Sequence, residues 1–471
     1  MKIIGRKREV KLLHQVIESP SSELIAVYGR RRVGKTFLIK EFFQNNFDFY
    51  ASGIFQGKQT TELKAFCDSL SSAGVSTDNI NDWMDAFKAL RDYLKKKRKK
   101  KIVIFLDELP WFDIPPGHFL KAFEWFWNSW ASSRPGLKMI VCGSATTWMV
   151  DNFIHSKGGL YNRITHSIHL SPFDLKETAE LLRYNGLDWE DNTILESYMV
   201  MGGIPYYLNM LNASQSLDAN IDRLFFNKNS PLSDEYEFLF RSLFRNADHY
   251  MAIIDAIAEK NAGITREEIA AKTGISNGGG LTKALNNLVR CNFLNKYNSV
   301  GRKKKDNIFQ LTDLFILFFK RFVENNNNKD KSYWSNMIDN PRRRVWSGLA
   351  FEQVCLLHLD KIKEALGISG VMTEASGWIY KGDSYNSGTQ IDLVISRRDK
   401  VINLCEMKFS EEKYLVNKTY AATLRDRKTI FKEITGTKSA LHLTLVSPQG
   451  IKRNTYSSIF NQVITLEDLI Y

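Results

Sequence analysis

The chain has 471 residues, of which 44% are hydrophobic and 25% charged. That is room for roughly three domains at an ordinary globular composition, which excludes long intrinsic disorder and collagen-like repeats. Lys plus Arg number 65 against 52 Asp plus Glu, a formal charge of +13, which favours a polyanionic partner, nucleic acid before membrane surface. The five cysteines, Cys67, Cys142, Cys291, Cys355 and Cys405, form no C-x-x-C pair, so a disulfide framework or zinc ribbon is not expected. Residues 1–10 carry no apolar signal core, and the apolar run 314–319 is far too short to span a bilayer, so a soluble cytoplasmic protein is expected.

Along the first third, short apolar runs at 24–28, 102–106 and 137–142 read as buried strands, and 61–70 and 83–94 as helices. Strands alternating with helices predict an α/β fold with a parallel sheet covered on both faces. Residues 29–36, GRRRVGKT, fit G-x-x-x-x-G-K-[ST] between a strand and the helix 36–43. Backbone N–H groups of such a loop cradle phosphates at a helix N-terminus. The candidate nucleotide contacts are Gly29, Arg32, Val33, Gly34, Lys35, Thr36 and Phe37. Lys35 is expected at the β/γ-phosphates and Thr36 on Mg²⁺. The loop arginines are expected to point to solvent. The basic run 95–101 reads as a solvated helix end.

The strand 102–106 leads into Asp107 and Glu108, which places two carboxylates at the carboxyl edge of the sheet, where ligands bind in open α/β folds. Asp107 is expected to hold Mg²⁺ and Glu108 to polarise the attacking water. The strand 137–142 ends near Ser144, a candidate reporter of the γ-phosphate. Arg163 is a weaker candidate for reaching a neighbouring subunit's nucleotide, which would require a homo-oligomer.

The runs GRKREVKLL, GRRRVGKT, IVIFLDELPWF, CGSATTWM and GGIPYYL together resemble the archaeal-type ATPase family. That family belongs with the AAA+-related P-loop NTPases, near the signal-transducing ATPases with numerous domains. The resemblance implies ATP rather than GTP, an added helical lid, and Gly5, Arg6 and Glu9 near the base side of the nucleotide.

Beyond the sheet, 174–183 and 191–201 read as helices of that lid. Residues 265–274 carry a capping box and end in Gly274, and a second helix is expected over 276–291, the helix-turn-helix layout. A basic wing, 295–307, follows; its tip residues Arg302, Lys303, Lys304 and Lys305 suit DNA phosphates. The Asn-rich stretch 325–328 reads as a linker. The expected domains are thus 1–171 (P-loop ATPase core), 172–246 (lid), 247–324 (winged helix-turn-helix), 325–340 (linker) and 341–471 (a last α/β domain).

In that last domain 349–359 reads as a helix carrying Glu352, and 390–395 with 401–409 as a hairpin turning near 397–400. A turn centre near Asp399 sets Asp392 across from Glu406, with Lys408 on the face of Glu406. Acids this close make an oxygen site for Mg²⁺, and Lys408 can orient or deprotonate a water and stabilise the phosphorane. Acids among apolar neighbours are costly without a metal or partner. The pattern D-x₁₃-E-x-K with an upstream Glu resembles the PD-(D/E)XK nuclease superfamily, with Ile391 where Pro is usual. The resemblance implies a restriction-endonuclease-like fold, metal on Asp392 and Glu406, a catalytic Lys408, and support from Glu352, with Gln390 assisting. The function expected is an ATP-binding and hydrolysing protein that binds DNA and cleaves it with Mg²⁺ under ATP control. The alternative is an ATP-switched DNA- or protein-binding regulator whose nuclease-like domain is inactive. A membrane-surface role has only the basic charge in its favour, and the amphipathic signal it needs is missing.

Overall fold

The computed structural model describes residues 2–155, 158–244, 246–261, 263–297, 307–324, 326, 330–383 and 388–471. The chain divides into two compact bodies, Met1–Pro172 with Phe238–Ala247, and Phe173–Glu237 with Asp248–Tyr471. Among the described residues no helix is long and apolar enough to cross a membrane, and all five cysteines are free thiols.

The first body is built on five parallel strands, β1 (Glu23–Tyr28), β2 (Phe49–Ser52), β3 (Ile102–Asp107), β4 (Leu137–Gly143) and β5 (His166–His169), in the order β2-β3-β4-β1-β5. β3 and β4 are buried along their whole length. This explains their near-continuous apolar sequence, since a parallel sheet has both faces covered. β5 escapes sequence reading because it is an edge strand, HSIH, with Ile168 alone buried. Helices Gln59–Ser72, Trp83–Lys95 and Phe119–Ser129 supply the aromatic side of the core. There Phe66, Trp83, Phe112 and Phe119 make edge-to-face contacts with centroids 4.8–6.1 Å apart, an arrangement the ring quadrupoles favour. The basic run follows the end of the second helix, and Lys95 lies in its last turn, where a cation suits the helix dipole.

β1 must turn sharply into the phosphate loop. Gly29 sits at φ 147°, and a Cβ there would stand 2.2 Å from the carbonyl oxygen of Leu170. Backbone cannot yield as a flexible side chain does, so Gly29→Ala is expected to destabilise this body by about 3 kcal/mol or more. Thermal unfolding checks it; an unchanged midpoint would refute this packing.

The second body contains the helices Leu175–Tyr184 and Asp191–Met201, the first opened by a capping box of Asp174 and Glu177. Further along lie Ala247–Ala258, Arg266–Thr273 and Gly279–Arg290, with a small antiparallel sheet of β6 (Ile264–Thr265), β7 (Leu294–Tyr297) and β8 (Ile308–Leu311) in the order β6-β8-β7. The capping box of Thr265 and Glu268 and the stop at Gly274 form as expected. The next helix begins at Gly279, not at Ser276, because Gly278 is extended and serves as its N-cap. Gly279 and Gly280 therefore sit in the first turn, where helix propensity matters least. Arg302, Lys303, Lys304 and Lys305, and all of the Asn-rich stretch except Asn326, lie outside the described residues.

The rest of the second body is a mixed sheet of β9 (Thr373–Tyr380), β10 (Thr389–Arg397), β11 (Val401–Met407), β12 (Ala440–Val446) and β13 (Gln462–Ile464), ordered β13-β12-β11-β10-β9. β9, β10 and β11 are antiparallel; β11, β12 and β13 are parallel. Helix Lys418–Thr435 connects β11 to β12. The helix carrying Glu352 runs over Pro341–Leu357, starting earlier than the apolar pattern implied. Asn340 caps it by accepting from the N–H of Arg342 at 2.9 Å, and Pro341 fits the first helical position.

His358 closes that helix and ties it to the helix Leu175–Tyr184. Its Nε2 accepts from the N–H of Leu175 at 3.0 Å, and its Nδ1 lies 2.8 Å from the carbonyl of Val354. The ring is therefore neutral and fixed in one tautomer. Burial holds its pKa below the ordinary histidine value. A depressed histidine gives stability that is present above the unfolded pKa of about 6.5 and lost as pH falls through the folded one. The melting point is thus expected to fall between pH 7.5 and pH 5.5, and His358→Gln to flatten that dependence; equal slopes would remove His358 as the cause.

Candidate functional site

The phosphate loop meets the acids because β4 lies between β1 and β3 in the sheet. The carboxyl ends of all three strands then share one edge. Arg32 at φ 71° and Gly34 at φ 92° turn the loop before the helix Lys35–Phe42. The ammonium of Lys35 donates to the carbonyls of Gly29 and Arg30 at 3.0 Å each. Its burial pushes its pKa down, while Glu108, Cys142 and Asp107 pull it up.

Thr36 Oγ1 donates to Asp107 Oδ2 at 2.8 Å. Asp107 is buried, and desolvation, then the neighbouring Glu108, hold its carboxyl above the usual range. A hydroxyl beside a buried carboxylate whose charge is disfavoured is an oxygen donor set suited to Mg²⁺. Glu108 sits at φ 49°, a left-handed conformation uncommon outside glycine. Its carboxylate accepts from the Oγ and the N–H of Ser144. Ser144 thus lies on the expected edge, and it holds Glu108.

Arg6 is buried and donates to the carbonyl of Val33 at 3.1 Å, so it braces the loop from the chain start. Phe37 is 39% exposed, and Arg163 is exposed. The expectation of solvent-facing loop arginines needs correction at Arg30, which is 3% exposed. It stands two residues beyond β1, after the buried Gly29, and is enclosed in the loop.

In the second body the β10–β11 ladder pairs Leu393 with Cys405 and Ser396 with Ile402. Continued by one residue, it sets Asp392 across from Glu406, as the turn position implied. A β-bulge between Ile391 and Val394 interrupts the pairing of β10 with β9 beside Asp392. Bulges re-aim side chains in this way. Gln390 Nε2 donates to Asp392 Oδ1 at 2.7 Å.

Glu406 is buried, with Lys408 Nζ 2.7 Å from Oε1. Two residues that sequence reading missed complete its cage: the hydroxyl of Tyr420 donates to Oε1 at 2.6 Å, and Arg427 pairs with Oε2. They lie seven apart on one helix, two turns and hence one face. That spacing was a signal in the sequence. Glu352 is pushed up to about 8 by burial, then by Asp392, with Lys408 opposing and Glu406 adding. Asp392 is raised by burial and by Glu406. The structure therefore brings Glu352, Asp392, Glu406 and Lys408 together. Among the described residues, no group of three or more His, Cys, Asp or Glu is arranged to hold a metal ion. Any cation on Glu406 would share its carboxylate with Tyr420, Lys408 and Arg427.

Residues 3–211 match a family described as an ATPase domain predominantly from Archaea. The chain is 25% identical over 434 residues to the uncharacterized protein MJECL04 of Methanocaldococcus jannaschii, covering 91% of this chain and 92% of that one. Over 42 residues it is 48% identical to the uncharacterized ATP-binding protein MJ0423 of the same organism, 9% of this chain and 71% of that one. Among solved structures it is similar to the Walker-type ATPase of Pyrococcus abyssi, at 20% identity and a TM-score of 0.47 over 68% of this chain and 96% of that one. It is also similar to the ORC2 protein of Aeropyrum pernix, at 14% identity and a TM-score of 0.43 over 71% and 96%. The phosphate loop, Thr36 and Asp107 in contact, and Glu108 held at the same edge all lie within residues 3–211, the part of the chain that matches an ATPase domain predominantly from Archaea.

Proposed function

We propose that this protein couples ATP binding and hydrolysis in its first body to Mg²⁺-dependent cleavage of DNA by its second. The reading rests above all on the convergence of Asp392, Glu406 and Lys408 beside Glu352 on adjoining elements, with Glu352 raised by burial and then by the charge of Asp392, and Asp392 by burial and then by that of Glu406. In the ATPase domain, Lys35 would hold the β/γ-phosphates and Thr36 with Asp107 the Mg²⁺. Glu108, held by Ser144, would orient the attacking water. The helices 175–184 and 191–201 would serve as lid.

In the second body, the residues of β10 and β11 would act on a phosphodiester. A bound Mg²⁺ would activate water and offset charge on the phosphate. Tyr420 and Arg427 hold Glu406 in place, and the ammonium of Lys408, paired with Glu406, would orient a water or meet charge developing on phosphate. The segment 247–324, with its helix pair and hairpin, would act as a winged helix on DNA, with Arg302, Lys303, Lys304 and Lys305 on the phosphates. Self-association through Arg163 would complete the ATPase.

One observation favours the second reading, a regulator with an inactive nuclease-like domain: both oxygens of Glu406 already have partners. Proton counting separates the two. With its carboxyl at about 8, Glu352 is mostly protonated at pH 7. Binding of Mg²⁺ or Mn²⁺ to the acids would then release about one proton. Calorimetry in buffers of different ionisation enthalpy measures it, and Glu352→Gln should remove it. Cleavage of supercoiled, linear or single-stranded DNA in the same ions tests the function itself. Neither cation binding nor cleavage, with ATP turnover intact, leaves the regulator.

A further inference from the structure

At Asp392 the acid cluster borders a cleft that ATP hydrolysis does not use. Its volume is about 310 Å³, at the small end of ligand pockets. One wall is β7, with Asn295, Lys296 and Tyr297; the other is β9 and β10, with Gly377 and Asp392, and Leu356 adds an apolar surface. Tyr297 dominates it. A Cβ at Gly377 would stand 3.2 Å from Cε2 of Tyr297 and 3.8 Å from Cδ2, so the ring edge lies directly against this glycine. A side chain at 377 would close the space that the ring and the bulge leave beside Asp392. Burial, and then the charge of Asp392, push the Tyr297 phenol up to about 12.

We propose that this cleft holds one unpaired nucleotide of a nucleic-acid strand, its base stacked on Tyr297, so that the acid cluster receives a single strand, flap or frayed end rather than an intact duplex. The proposal rests on the cleavage reading for its purpose, though not for its test. Three observations carry it. First is size: the volume corresponds to a box about 7 Å on a side, narrower than the roughly 12 Å major groove alone of a B-form duplex. Second is chemistry: an aromatic ring, an amide and an ammonium match the face, edge and phosphate of one nucleotide, and base stacking on aromatics tolerates any sequence. Third is position: Asp392 lines the cleft, so a nucleoside seated there presents its own phosphate to the acids. A paired base would first have to leave its stack, which favours ends and mismatches.

The test is binding without cleavage. Fluorescence anisotropy in EDTA compares a short labelled single-stranded DNA, its RNA counterpart and a blunt duplex of the same sequence. Tyr297→Ala is expected to weaken single-strand binding about tenfold and duplex binding by less than about twofold. Tyr297→Phe, which keeps the ring, retains single-strand affinity. The RNA arm shows which sugar the cleft accepts. Should Tyr297→Ala fail to fold, Gly377→Ala, whose methyl group crowds the ring, carries the same expected loss. Equal losses for strand and duplex, or none for either, overturn the proposal. Strand binding that depends on Tyr297 in a protein that never cleaves removes the nuclease reading and leaves the cleft. Cleavage that ignores Tyr297→Ala does the reverse.

Discussion

Glu108→Gln is expected to lower ATP turnover by about a thousandfold and to leave ATP binding within about twofold, whereas Lys35→Ala is expected to lose binding itself. The two outcomes differ because the two side chains meet different parts of the reaction. A positioned acid or base contributes about 10²–10⁴ in rate, and the Gln amide keeps shape while losing the charge that polarises water. Its oxygen can still accept from Ser144, so the local hydrogen bonding survives on one side. Lys35 is instead a buried ammonium held at the loop carbonyls. Its loss removes the cation expected at the β/γ-phosphates and opens a gap in the loop. Steady-state turnover and binding of a non-hydrolysable analogue separate the effects. Equal turnover in Glu108→Gln and wild type would take Glu108 out of the mechanism.

The phosphate loop was legible because its chemistry depends on consecutive residues, and so were β3 and β4, whose double burial leaves an unbroken apolar run. The facing of Asp392 and Glu406 was legible for a related reason: in a hairpin, register follows from the turn, and the ladder around residues 397–400 fixes it. What sequence reading missed depends on pairing between distant segments. Tyr297 reaches the acid cluster from a different sheet, and no spacing within β7 announces that it will lie against Gly377. Arg30 reads as a surface cation by type, and only the folding of the loop after β1 encloses it. Tyr420 and Arg427 fall between. Their separation marks one helix face, but the carboxylate that this face meets is supplied by β11.

Removal of Lys408 carries the other large effect. Lys408→Ala is expected to lower DNA cleavage by about a thousandfold, while ATP turnover in the first body persists. Stability should change little. The side chain of Lys408 is 32% exposed, and a partly solvated ion pair contributes about 1 kcal/mol or less. The buried Glu406 also keeps Arg427 and the Tyr420 hydroxyl, so it is not left as an isolated buried charge, the case that costs several kcal/mol. A large loss of rate without a loss of fold is therefore the signature of a group acting on the reacting phosphate. Loss of both together would mean that Lys408 serves the packing of the site. Arg427→Ala supplies the contrast: it removes the other cation from Glu406, only 20% exposed, and should lower the melting temperature more than Lys408→Ala does. Cleavage by Lys408→Ala at the wild-type rate would end the case for this lysine, and with it the strongest link between the acid cluster and phosphodiester chemistry.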